Sequence, residues 1–190
     1  MAVKKDIFKA LGDYLMLNAT NLPDGLPNLK WVDKQMGQFT DPATAFALPL
    51  PTVLISFLDF DWETIGKGVQ KGMGSIRIEV YFENYANSFT GSLNQELALQ
   101  FWEFTEDVIH KLLQGYAIKD LMSPMSRIRD AEDAEQDMII TSTMEYAVTI
   151  FDGITDETRN FIDVDPDLIV EYKKESSRPV PDSENKTFLI

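Results

Sequence analysis

The stretch Ser75-Ile-Arg-Ile-Glu-Val-Tyr-Phe-Glu83 alternates strictly between apolar and polar side chains, with Tyr81 the one aromatic on the polar set. Successive side chains of a β-strand point to opposite faces, so this pattern demands a strand with one buried side. Ile76, Ile78, Val80 and Phe82 then face inward, and Arg77, Glu79, Tyr81 and Glu83 outward. Upstream, Thr52-Val-Leu-Ile-Ser-Phe-Leu-Asp-Phe60 is a nearly continuous apolar and β-branched run, as expected of a central strand covered at least in part on both faces. Between them, Gly66–Gly74 holds four glycines in nine residues, which predicts an antiparallel hairpin with a long, mobile tip. A second pair follows. Ser126–Arg129 reads as a short strand, Asp130–Asp137 as an acidic turn, and Met138–Phe151 as a long strand with Met144, Tyr146, Val148 and Ile150 inward.

Helical spacing appears twice. Ile7, Phe8, Leu11, Tyr14 and Leu15 form one stripe over Asp6–Asn18, ended by the turn-rich Asn21–Asn28. Ser92-Leu-Asn-Gln95 matches a capping box, and Leu93, Leu97, Phe101, Phe104, Val108 and Leu112 recur at spacings of three and four before Gly115. Leu29–Asp33 reads as a short strand, and Gln38–Pro51, with three prolines, as a loop barred from a central ladder. Trp31, Trp62 and Trp102 fall mostly within apolar patterns and are expected to supply core area. From Ile154 on there is no periodic core face. The fold expected is α+β: one domain over 1–153, with a mostly antiparallel sheet, one long helix packed across one face and an N-terminal helix, followed by an extended C-terminal arm over 154–190.

With 17 Lys and Arg against 31 Asp and Glu, the 190-residue chain has a formal charge of −14. Such a balance repels phosphate backbones and disfavours a DNA-coating role. The chain has no Cys and one His, which removes disulfide frameworks, thiol nucleophiles, iron–sulfur clusters and nearly every His-based metal centre. Asp6, Lys9 and Asp13 interrupt the first residues, which read as neither signal peptide nor membrane anchor. His110 falls in the last turns of the long helix, where a cation meets the negative end of the helix dipole. Lys67 and Lys71 lend Gly66–Gly74 the look of a phosphate loop, but a strand follows where that loop needs a helix. The acidic run at 130–137 lacks the glycine and bidentate Glu of a calcium loop, and Pro166 is wrong for one at Asp163–Asp167. No cofactor or metal is expected. One enzymatic alternative places Asp59, Asp61, Glu79 and Glu83 together across neighbouring strands to hold Mg²⁺, as in metal-dependent nucleases; against it, Glu79 and Glu83 sit on the solvated side of their strand. A cytoplasmic adaptor domain is the remaining alternative.

Pro51-Thr-Val-Leu-Ile-Ser-Phe57, Ile76-Arg-Ile-Glu-Val-Tyr-Phe82, the helix through Leu112, and Ser126-Arg-Ile-Arg-Asp130 with Ile139-Ile-Thr-Ser-Thr-Met-Glu-Tyr-Ala-Val-Thr-Ile-Phe151 resemble the tail-terminator and tail-completion (head–tail joining) proteins of long-tailed bacteriophages, over about Leu29 to Phe151. The resemblance implies a structural virion protein and no catalysis. Copies would form a hexameric ring that caps the tail tube and joins it to the head or neck, with DNA passing through the lumen without sequence-specific binding. The implied partners are further copies, tail-tube proteins and head-completion or neck proteins; the protein would be made in the host cytoplasm and reside in the virion, with no membrane contact. The residues themselves suggest how copies meet. Lys67, Gln70, Lys71 and Met73 in the glycine-rich tip and Glu132, Asp133 and Glu135 in the acidic turn are opposed charged tips, expected to join neighbouring subunits in a heterologous ring.

Overall fold

The alternating stretch becomes the middle strand of a five-stranded sheet. In a computed structural model the described residues are 3–20, 22, 25–39, 48–66, 68–83, 86, 88–136 and 139–153, the side chains of 133–136 excepted. The arm expected over 154–190 lies outside them. Helix α1 (Val3–Asn18) leads into β1 (Trp31–Lys34), β2 (Thr52–Gly66) and β3 (Val69–Glu83). Then come α2 (Gln95–Trp102), a π-helical stretch (Glu103–His110), α3 (Lys111–Leu113), β4 (Ser126–Gln136) and β5 (Ile139–Asp152). The strand order is β1-β2-β3-β5-β4; β1 runs parallel to β2 and every other pair is antiparallel. The fold class is α+β. Among the described residues no helix is long and apolar enough to cross a membrane.

Period-two burial holds where the sequence shows it most plainly. Ile76, Ile78, Val80 and Phe82 of β3 and Met144, Tyr146, Val148 and Ile150 of β5 are all buried, together with Val53 and Ile55 of β2. Val3, Ile7, Leu11 and Leu15 of α1 cover this face jointly with Phe101, Phe104, Val108, Ile109 and Leu113. The helical layer is thus shared by two segments instead of being one long helix. On the opposite face a smaller cluster joins Phe39, Leu54, Tyr81 and Ile139. Tyr81 does point outward, but Phe39 stacks on it with ring centroids 3.7 Å apart, so it is buried.

Four expectations are corrected. The glycine-rich stretch is strand, not a long tip: β2 runs to Gly66, β3 starts at Val69, and these two residues pair. Gly72 and Gly74 sit in the ladder because aromatic rings lie over them. A Cβ at Gly72 would come within 2.9 Å of the Trp62 ring, and one at Gly74 within 2.7 Å of the Phe60 ring. The acidic run is likewise strand as far as Gln136: it forms an edge strand on which Asp130 and Glu132 are exposed, and its backbone pairs with the polar Thr141, Ser142 and Thr143 of β5. The capping box does not form: the Ser92 hydroxyl accepts from the Asn94 amide, and α2 starts at Gln95 without a side-chain cap. Trp31, Trp62 and Trp102 are 43%, 39% and 50% exposed, so none is core.

The helical stripe departs from its expected phase for a geometric reason. Leu93 and Leu97 are exposed, and the buried positions run Ala98, Phe101, Phe104, Thr105, Val108, Ile109 and Leu113. A π-turn closes from i to i+5 and so needs more residues per turn than an α-turn. Phe104 to Ile109 and Val108 to Leu113 are both steps of five, which carries burial past Leu112 to Leu113.

Candidate functional site

Strand register places the two hairpin ends at opposite ends of the sheet. Gln70 pairs with Asp152, and thirteen residues further along Glu83 pairs with Ile139. At about 3.4 Å per residue the ends are about 45 Å apart. Gln70, Lys71 and Met73 are brought together at the β2–β3 end, alongside the half-exposed Ile65 and Trp62; Lys67 lies outside the described residues. Lys71 faces Glu63 across the ladder and pairs with it at 3.1 Å. Both side chains are solvated, which makes that bond worth less than about 1 kcal/mol.

The β4–β5 end is organised differently from the loop expected there. Glu132 sits well inside β4 and accepts the Trp102 indole N–H, which fastens the edge strand to the end of α2. Asp133 pairs through its backbone with Thr141; its side chain and that of Glu135 lie outside the described residues. The same end of the sheet carries a feature that sequence patterning missed. A cavity of about 570 Å³ opens between the segment before β1 and the start of α2, lined by Leu26, Pro27, Phe82, Glu83, Asn94, Leu97 and Gln100 among others. Leu97, spaced as a core residue in the sequence, lines the cavity half-exposed, whereas Leu93 lies before α2, exposed and outside the lining.

The acids of the nuclease alternative are not brought together. Asp61 lies opposite Met73, whereas Glu79 lies opposite Leu54; six residues of β3 separate the two levels, about 20 Å. Glu79 instead accepts the Tyr81 hydroxyl at 2.9 Å and the Gln35 amide. Among the described residues no three His, Asp or Glu side chains are grouped to hold a metal ion.

His110 has a different role from a dipole-stabilising cation. Its Nδ1 lies 2.9 Å from the Tyr146 hydroxyl. Burial, assisted by the nearby Arg127, lowers its pKa below the ordinary 6.5 and so favours the neutral ring, whose Nδ1 shares a hydrogen bond with that hydroxyl; Glu106 and Asp130 oppose the shift. Burial raises the Tyr146 phenol well above its usual value, which keeps it a donor. Beside them Arg127 forks onto both oxygens of Glu106 at 2.6 and 2.8 Å. These four side chains join the π-helical stretch to β4 and β5. The i,i+4 spacing of Glu106 and His110 was the one trace of this in the sequence, and it does not reveal the strand partners.

No known protein family matches the chain, and no characterised protein matches it.

Proposed function

We propose that this chain is a structural protein of a tailed-phage virion, resembling a tail terminator: copies close into a ring that caps the tail tube and joins it to the head or neck. What supports the reading best is the placement of two unlike hairpin ends at opposite ends of one sheet. Unlike ends on a stiff body suit head-to-tail association, which closes into a ring when the rotation per copy permits. The net charge of −14 supports a conduit role, because an acidic lumen repels DNA where a basic one would hold it. No cofactor enters this reading. The partners are further copies, tail-tube proteins and neck proteins, and the site of action is the virion.

The test is the mass of the full-length protein by light scattering across concentration, with electron micrographs of any large species and of isolated tail tubes mixed with it. Closed rings, or tubes blunted by a terminal cap, are expected. A protein that remains monomeric and leaves tube ends unchanged would sink the proposal. Lys67→Glu with Lys71→Glu is expected to weaken assembly with the circular dichroism spectrum intact.

A further inference from the structure

We propose that β4 is a proton-released strand: when His110 takes up a proton, Arg127 lets go of Glu106 and the strand comes away from the helical layer and from the edge of β5. Its attachment suits release. Of the described β4 side chains, Ser126 to Glu132, Arg127 is partly buried and the others are exposed, so none adds to the core, whereas β5 beside it buries every second residue from Ser142 to Ile150. An edge strand without apolar burial is held by its ladder, here irregular between Arg127 and Arg129, and by polar ties. Its ties to the helical layer are the Arg127–Glu106 fork, the Arg127 amide donating to Gln114 Oε1 at 3.1 Å, and the Trp102 indole on Glu132. His110 sits beside the first of them. The charged and titratable groups around it are Glu106 on its own helical stretch, Arg127 and Asp130 on β4, and Tyr146 on β5. Asp107 and Lys111, exposed on the same helix, pair with each other at 2.6 Å.

The Tyr146 bond survives protonation, because the hydroxyl can accept from Nδ1 and donate to Met144 Sδ, 3.4 Å away. What the new charge meets is Arg127, a like charge on β4, and Glu106, an opposite charge that stays with His110 wherever β4 goes. With β4 away, the ring loses the cation that lowers its proton affinity. It keeps the stronger of the two carboxylates that raise that affinity, since Asp130 acts less than Glu106. The proton therefore binds more tightly to the opened form, and by linkage its uptake favours opening. This latch is internal to one copy and stands apart from any ring.

His110 is the single histidine, so its ring resonances follow its titration directly in the full-length protein. Hydrogen exchange at each pH, corrected for the intrinsic rate, gives the opening equilibrium of the amides shared by β4 and β5. That equilibrium is expected to rise by up to about tenfold per pH unit, the limit for one proton, over the same interval below 6.5 in which His110 titrates. The amides shared by β2 and β3 should not change. His110→Gln is expected to remove the rise. Arg127→Gln is expected to open β4 already at neutral pH and to move the His110 midpoint upward; circular dichroism checks that both variants are folded. Because the two midpoints are compared on the unaltered chain, the latch is decided even if a variant fails to fold. Opening that stays flat while His110 titrates, or that sets in only at about pH 4 with the carboxylates, overturns it. So does a rise that persists in folded His110→Gln or spreads equally to β2 and β3.

Discussion

Gly72 and Gly74 show how narrow the tolerance is at single positions. Gly74 lies beneath the Phe60 ring and the Asp59 carbonyl, at the irregularity between Phe57 and Phe60 in β2. Backbone cannot swing aside, so Gly74→Ala is expected to lower stability by about 1–3 kcal/mol in denaturant titration. Gly72 meets the ring of the half-exposed Trp62, which can move, so Gly72→Ala should cost less and Trp62→Ala should relieve it. His110 supplies a second prediction. Its pKa is lowered in the fold, so between the folded value and about 6.5 the unfolded chain binds the extra proton, and stability falls as pH drops through that window. Above it the contribution is complete. His110→Gln should flatten the fall in Tm between about pH 7 and pH 5, measured by thermal scans. The sequence showed where these residues stand but not what they do, because four glycines in a row of nine signal a loop until the aromatic partners are known.

At the scale of elements, legibility followed the constancy of the repeat. β3 from Ser75 on and β5 from Ser142 to Ile150 keep period two, and their inward sets were readable residue by residue there. The helix after Ser92 changes its repeat midway, so a pattern counted at three and four found Phe101, Phe104, Val108 and the partly buried Leu112 but missed Thr105, Ile109 and Leu113; Leu93 and Leu97, ahead of that change, are exposed. The acidic strand was hidden by composition, since edge strands carry charge for reasons unrelated to turns. Likewise, the outward side of β3 gave no sign that Phe39 covers Tyr81. That cover is expected to open on its own: Phe39→Ala should cost about 3 kcal/mol locally. Hydrogen exchange would show it as lost protection at Lys34 and Gln35 and around Leu54, with the amides of β5 near Tyr146 unchanged. Loss of protection throughout the sheet would mean that the small cluster and the main core fail together.

For the whole molecule, charge was the most legible property and strand register the least. The balance of −14 predicts that duplex DNA gives no mobility shift with the protein even at low ionic strength, where attraction to any basic surface is strongest. A shift would place a cationic face on the molecule or its assembly. The candidate site was partly legible: Gln70, Lys71 and Met73 do share one end, whereas the cavity at the other depends on how α2 meets β3, which no local pattern encodes. One strand connects the two. β3 runs unbroken for 15 residues from the hairpin end to Phe82 and Glu83 at the cavity wall, clamped along its length by β5. A load applied at either end is therefore carried as tension by a covalent chain, with no soft hinge between. Were copies linked head to tail, they would behave as a belt of stiff links, whose girth is set by the angle at each joint.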